Sequence, residues 1–275
     1  EVVALRNAGT RARGATLYVT LEPCSTWGRT PPCTEAILAA GIRRLVVGVT
    51  DPNPKHAGRG LDLLRRRGVK VLCDVCAVEA ADVLAPFATW MLQRRPRVTL
   101  KMGMTLDGRI ADSNGRSRWI TGAESRKMVH ALRRRCDAIL VGRGTAERDN
   151  PSLLPVPTGG RRPWRIVLDR RGGLSLRSKI FCDGHPGQTL VVIGRQASVR
   201  YRQQLAFRGV ETLVCPTDRG GFRLDALLKL LGQRGLLHIL CEGGGTLAGS
   251  LLRRNLVDEG WFFVAPRLLG DHARS

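Results

Sequence analysis

The stretch Leu17–Cys33, LYVTLEPCSTWGRTPPC, decides how the first part of the chain is read. Leu17-Tyr18-Val19-Thr20-Leu21 is apolar, β-branched and aromatic, and it is bounded by Gly14 and Pro23, which predicts a short buried strand. Its end delivers Glu22, Pro23 and Cys24, and Cys33 follows after eight residues, behind Pro31 and Pro32. Thr34–Ala40 then reads as a helix stopped by Gly41.

Cysteines at the mouth of a helix have a chemical use. The helix N-terminus lowers a thiol pKa, so Cys24 and Cys33 are expected as thiolates, and a close pair of thiolates suits zinc. A catalytic zinc takes a third protein ligand and keeps one position open for water. In zinc deaminases of nucleobases that ligand sits in an H-x-E motif whose Glu moves protons. Glu1, about one strand upstream of Pro23-Cys24, stands where that Glu would stand. Buried packing of the two cysteines is the alternative, and the flanking GRTPPC and the opening Glu weigh against it.

LEPCSTWGRTPPC resembles the deaminase motif of the bifunctional riboflavin-biosynthesis deaminase/reductase family, and the resemblance runs from Glu1 to near the end of the chain. It implies an α/β chain with a cytidine-deaminase-like domain over 1–94 and a dihydrofolate-reductase-like domain over 97–275. The expectation is that the first lacks its start and the second its end. Zinc would be held by Cys24, Cys33 and a His outside the chain, so weak zinc binding and no deaminase activity are expected of these 275 residues. NADPH is the implied cofactor of the second domain, and a small phosphorylated pyrimidine the implied substrate.

Composition agrees with two cores: 275 residues suit two domains, and no apolar run approaches the ~20 residues of a membrane helix. The formal charge of +22 invites a nucleic-acid reading, but the arginines are scattered over helix faces such as Arg65-Arg66-Arg67, and aromatics for base stacking are scarce. Phosphorylated substrates or an arginine-biased genome are the alternatives. The eight cysteines suit reduced thiols in a cytoplasm rather than a disulfide framework. Cys73-Asp74-Val75-Cys76 has no second pair or His at matching spacing. A homo-oligomer is expected.

Arg43–Val49 is the next strand, followed by Asp51-Pro52-Asn53-Pro54 in a loop at its C-terminal end, where α/β folds bind ligands. Asp51 and Asn53 suit hydrogen bonds to a pyrimidine; a plain Asx turn is the other reading. Glu79–Met91 reads as a helix kinked at Pro86, and Gln93–Pro96 as a linker. Lys101 lies in an apolar strand, where a charge needs a partner; it reads as a site residue, with a solvated strand end as the other reading. Thr121 is expected to N-cap a helix running to Arg133, with Glu124 completing a capping box. Arg143-Gly144-Thr145 reads as a glycine turn near phosphate, and Glu242–Gly249 as strand, glycine turn and helix, a phosphate-cradling geometry. Arg170 and Arg171, after the strand Arg165–Asp169, are expected to meet a 2′-phosphate, with solvated turn residues as the other reading. His238 reads as a core histidine.

The family resemblance implies the remaining roles. Arg29, Ser117, Arg133, Leu153 and Glu242 would face substrate; Gly103, Trp119, Thr145, Asp149, Gly244, Gly245 and Thr246 would face cofactor. The chain departs from the family pattern at Thr26, Asn150, Gly245 and Leu154-Pro155-Val156; the last loses an arginine for the substrate phosphate, which Arg161 or Arg162 is expected to replace. Two rivals stay open: a deaminase of nucleic-acid bases and a non-catalytic remnant.

Overall fold

The computed structural model describes the chain except residues 29, 55, 118, 119, 158, 159, 271, 272, 274 and 275. It divides into two compact units, Glu1–Arg94 and Arg95–Ser275.

The first unit runs α1 (Val2–Ala8), β1 (Thr16–Leu21), α2 (Cys33–Ala39), β2 (Arg44–Val49), α3 (Arg59–Arg66), β3 (Lys70–Leu72) and α4 (Ala77–Gln93). The strands form a parallel sheet in the order β1-β2-β3. Parallel neighbours need crossover connections, which α2 and α3 supply. Ile37 of α2, Leu61 and Leu64 of α3, and Leu45 and Val47 of β2 close one core. The helix α4 continues through Pro86 to Gln93. The units divide within the expected linker, between exposed Arg94, which ends α4 in a left-handed conformation, and Arg95, which is buried against Asp258 at 2.7 Å.

Glycine is required where α3 meets the end of β1. A Cβ at Gly60 would lie 2.2 Å from the Pro23 carbonyl oxygen, so α3 starts flush against the chain that leaves β1.

Among its described residues the second unit carries nine strands, seven of them in one all-parallel sheet of order β12-β4-β11-β5-β6-β7-β8 and two in an antiparallel hairpin. In chain order they are β4 (Arg97–Thr105), β5 (Ala138–Gly142), β6 (Trp164–Leu168), β7 (Thr189–Ile193), β8 (Glu211–Val214), a two-residue hairpin of β9 (Thr217–Asp218) and β10 (Gly221–Phe222), β11 (His238–Cys241) and β12 (Glu259–Ala265). Helices α5 (Ala123–Arg135), α6 (Arg143–Asp149), α7 (Lys179–Cys182), α8 (Val199–Phe207), α9 (Leu224–Gln233) and α10 (Gly245–Leu252) connect them. Central strands are buried on both faces and read as continuous apolar runs: Ala138, Ile139, Leu140 and Val141 are wholly buried. One core takes Leu227, Leu228 and Leu231 of α9, and the other Tyr201 and Leu205 of α8. The order of strands reverses direction around β11, which returns between β4 and β5 and creates a crevice at their C-terminal ends.

Several local expectations resolve differently. Thr121 does not cap α5; Gly122 is its N-cap, with no side-chain bond, and Thr121 instead packs where a Gly103 Cβ would be, 3.2 Å away. Arg143-Gly144-Thr145 is the first turn of α6 rather than a loop. His238, by contrast, is the core histidine expected, its Nε2 at 2.8 Å from the Thr99 hydroxyl.

Overpacking against backbone at Gly60 is expected to cost about 1–3 kcal/mol. Gly60→Ala should therefore speed hydrogen exchange across α2, α3 and β2, read by mass spectrometry, while β5–β7 keep wild-type protection.

Candidate functional site

In the first unit, the end of β1 and the start of α2 bring Cys24, Cys33 and Glu1 together. The Cys33 backbone N–H donates to Cys24 Sγ at 3.3 Å, and the Cys33 thiol donates to Glu1 Oε2 at 3.4 Å. The expected thiolate character does not hold for Cys33. Burial, the Glu1 carboxylate and the Cys24 sulfur push its thiol up to about 12. The same crowding of donors and negative charge is what a dication would relieve, so the two sulfurs fit zinc as part of a ligand set. Among the described residues no group of three His, Cys, Asp or Glu is placed to hold a metal by itself.

Glu22 is the residue that sequence reasoning passed over. It is 3 % exposed, and its carboxylate accepts the backbone N–H groups of Asp51, Gly58 and Gly60 at 3.0, 2.8 and 2.9 Å. An acid directly after an apolar strand was the available signal. Glu22 thus holds the Asp51–Gly60 loop over the end of β1. Asp51 Oδ1 accepts the Asn53 N–H at 2.8 Å, so the Asx turn is present. In this loop His56 Nδ1 lies 3.4 Å from the Thr26 hydroxyl. Arg29 lies outside the described residues.

The second unit carries two adjoining cavities at the C-terminal ends of its central strands. One, of about 490 Å³, lies between the starts of α6 and α10 and is lined by Gly142, Gly144, Arg148, Gly245, Thr246 and Arg254, among others. The other, of about 460 Å³, is lined by Lys101 and Gly103 of β4, His130 and Arg133 of α5, Leu153 and Glu242, among others. Ser117, Thr145, Asp149 and Gly244 line both. The Thr145 hydroxyl accepts the Gly244 N–H at 3.2 Å and stitches the two helix starts together, and Ser117 donates to Asp149 at 2.9 Å.

Gly142 and Gly144 present open space: an added Cβ at either would meet nothing within 4 Å. Glycine floors and a helix start beside a cavity suit the close approach of a dinucleotide phosphate. Gly103 lines the second cavity, away from those glycines. Arg170 lines neither cavity. Buried Asp169 takes the N–H groups of Gly173 and Leu174, both at 2.8 Å, and the Arg170 carbonyl takes that of Gly194 at 2.9 Å, so the chain turns aside after β6. Trp119 lies outside the described residues.

The second cavity is organised by a buried carboxylate. Glu242 is gripped by Arg133 through Nε at 2.6 Å and Nη2 at 3.0 Å, with Lys101 Nζ at 3.4 Å. Burial alone would raise its pKa, but the Arg133 charge, then Lys101, outweighs burial and holds it below the ordinary value. Arg133 also donates to the Leu154 carbonyl at 3.1 Å, fixing the wall where Leu153 adopts φ 64°. His130 accepts the Val156 N–H on Nδ1 at 3.2 Å; burial, then the Arg133 charge, lowers its pKa and keeps the ring neutral at pH 7. Arg161 pairs with Asp137, and Arg162 lies 3.4 Å from His185, so neither lines the cavity.

Parallel strands, a strand-end crevice and a Cys-Cys-Glu cluster define an α/β chain that joins a zinc-deaminase-type unit to a reductase-type unit. The comparisons agree. The family described as "Cytidine and deoxycytidylate deaminase zinc-binding region" matches residues 1–49, and "RibD C-terminal domain" matches residues 96–275. The riboflavin biosynthesis protein RibD of Aquifex aeolicus is 41% identical over 98% of this chain and 74% of its own length. The structure of Acinetobacter baumannii RibD superposes with a TM-score of 0.84 at 39% identity, over 100% of this chain and 75% of that one. A Thermotoga maritima diaminohydroxyphosphoribosylaminopyrimidine deaminase/5-amino-6-(5-phosphoribosylamino)uracil reductase gives 0.79 at 34%, over 98% and 73%. The chain belongs to the RibD family of riboflavin biosynthesis proteins.

Removing the Glu242 charge leaves Arg133 and Lys101 without their shared partner, which for a buried pair costs about 3–5 kcal/mol. Glu242→Gln should lower the denaturant midpoint of the second unit accordingly. Because the folded pKa is lowered, this stabilisation is present above the unfolded value of about 4.3 and lost as pH falls through the folded one. An acid titration of stability should show that loss in the wild type and a weaker one in Glu242→Gln.

Proposed function

We propose that this chain is a bifunctional enzyme of riboflavin biosynthesis: it hydrolyses an amino group from a diaminopyrimidinone ribosyl phosphate, then reduces the ribosyl group to a ribityl chain with NADPH. The observation that carries the reading is the pair of cavities meeting at Ser117, Thr145, Asp149 and Gly244, which leaves room for two ligands edge to edge, in a family with a solved Thermotoga maritima member named for both reactions. No helix among the described residues is long and apolar enough to cross a membrane. A small phosphorylated pyrimidine as substrate, a homo-oligomeric assembly and a cytoplasmic location complete the proposal.

In the first unit, Cys24 and Cys33 would hold zinc, which supplies activation of water when bound. Glu1, within hydrogen-bond reach of the Cys33 sulfur, would move the proton from that water to the departing amine. Asp51, Asn53 and Arg29 would bind the pyrimidine and its phosphate. In the second unit, NADPH supplies hydride when bound, and this chain orients the partners. Gly244, Gly245 and Thr246 at the start of α10, with Thr145, Asp149, Gly103 and Trp119, would hold the cofactor. Ser117, Leu153, Arg133 and Glu242 would hold the substrate, and Lys101 would sit at the reacting end, its charge fixed by Glu242. Reduction assayed with this chain, and deamination assayed with zinc in a protein that carries a His two residues ahead of Glu1, with the products identified by mass spectrometry, test the whole reading.

In a protein that carries a His two residues ahead of Glu1, Glu1→Gln should keep the metal content and lose deamination, because an amide cannot carry the proton. The expected loss is about 10² to 10⁴ in rate, and a loss of less than about tenfold removes Glu1 from that role.

Cofactor choice gives a further test. Arg148 lines the first cavity, is exposed, and makes no side-chain hydrogen bond or ion pair among the described residues, whereas Arg170 lies off the cavity. Arg148→Ala should weaken NADPH about tenfold and NADH little, and Arg170→Ala should show the smaller contrast. Dissociation constants for both cofactors at one salt concentration decide which arginine reads the 2′-phosphate.

A further inference from the structure

The second cavity holds a cation whose position no part of the scheme above uses. Lys179 lines it from the first residue of α7. The side chain is exposed, but its support is rigid. Ser178 before it is buried, and Ile180 and Phe181 after it are 2 % and 3 % exposed. The Lys179 N–H is held by Asn150 Oδ1 at 2.7 Å. Beneath it lies Arg165, wholly buried, donating to the Ile180 carbonyl at 2.9 Å, to the Ser152 carbonyl at 3.1 Å and to Asp183 at 2.5 Å. Ser152, on the same cavity's wall, donates its hydroxyl to Asp183 at 2.6 Å. One buried guanidinium therefore fixes Lys179 relative to the segment that carries Leu153.

The charges in this cavity do not balance. Among the described residues four cations, Lys101, Arg126, Arg133 and Lys179, line it beside two carboxylates, Glu242 and Asp149. Glu242 is engaged by Arg133 and Lys101, and Asp149 accepts from Ser117. Neutral His130 adds no charge. Arg126 donates to the Thr121 carbonyl at 3.2 Å. Lys179 makes no side-chain hydrogen bond or ion pair among the described residues. The neighbouring wall, Leu154-Pro155-Val156, offers no cation. A surplus of positive charge matches a phosphate monoester, which carries about −1.5 to −2 at pH 7.

We propose that Lys179 binds the phosphate of the reductase substrate, with Asn150 and Arg165 as positioning residues. The proposal deepens the reductase reading and rests on it for the identity of the substrate, but the phosphate site can be measured without turnover. The probe is ribose 5-phosphate, titrated calorimetrically at one fixed salt concentration into the wild type, Lys179→Gln and Lys179→Arg, with NADPH titrated as a control for the fold. The expected result is binding weakened about tenfold or more in Lys179→Gln, largely restored in Lys179→Arg, with NADPH affinity unchanged. In turnover, KM for the phosphorylated substrate should rise in Lys179→Gln, while that for its dephosphorylated counterpart should not.

Equal ribose 5-phosphate affinity in wild type and Lys179→Gln overturns the proposal, as does a wild type that binds none. Should Lys179→Gln lose NADPH binding, Lys179→Ala is read by the same criteria. A wild type that binds ribose 5-phosphate through Lys179 but reduces nothing keeps the phosphate site and removes the reductase reading. Turnover with KM unchanged in Lys179→Gln does the reverse.

Discussion

The grip of Arg133 and Lys101 on Glu242 is the constraint around which the second unit is arranged. A carboxylate removed from water is costly unless its charge is met and its lone pairs are filled. Here the partners come from different elements: Arg133 from α5 and Lys101 from β4, with Glu242 directly after β11. The strand order makes this possible, since β11 lies between β4 and β5 and the Glu242 N–H donates to the Leu140 carbonyl at 3.0 Å. The ion pair therefore fixes α5 against the sheet at the point where the sheet opens. Through the Arg133 contact to Leu154, it also fixes the opposite wall.

The same device recurs at other strand ends. Glu22 follows β1, Asp169 follows β6 and Glu242 follows β11, and all three are buried or nearly so. Glu22 collects backbone N–H groups of one loop, and Asp169 collects those of Gly173 and Leu174 with the Tyr201 hydroxyl at 3.1 Å. A parallel sheet sends every strand toward the same edge, so its loops crowd together there with many unpaired N–H groups. A buried acid satisfies several at once and sets the loop's path. Both the deaminase-type and the reductase-type site stand on loops shaped in this way.

This explains what the sequence could disclose. Apolar runs and glycine stops mark strands and helix ends because those signals are local, and the strand, glycine turn and helix over 238–252 were legible for that reason. The Cys24, Cys33 and Glu1 cluster was legible because the motif carried it. What failed depended on distant partners. Arg170 lies at the right end of the right strand, yet Asp169 turns the chain away from the cavity. Thr121 has the residue type of a cap, yet packs against Gly103. A helix N-terminus argues for a Cys33 thiolate, yet burial and Glu1 push the other way. The role of Lys179 was invisible, because its place is set by Asn150, 29 residues earlier, and by Arg165 beneath it.

Depth then decides which cations remain available to a ligand. A guanidinium or ammonium in the interior must carry its own acid, as Arg165 does with Asp183 and Arg133 with Glu242, and such a charge is spent before any substrate arrives. A cation at the rim stays solvated and needs no partner, because an exposed ion pair is worth only about 0–1 kcal/mol. Lys179 and Arg148 are of this second kind, one on each cavity, each free of side-chain partners among the described residues. They lose hydration when an anion arrives, and the anion's charge offsets that loss. The buried pairs give the cavities their shape, and the rim cations give them their sign. The formal charge of +22 thus bears on function mainly where rigid backbone holds a cation at a cavity mouth, and much less where arginines are spread over helix faces.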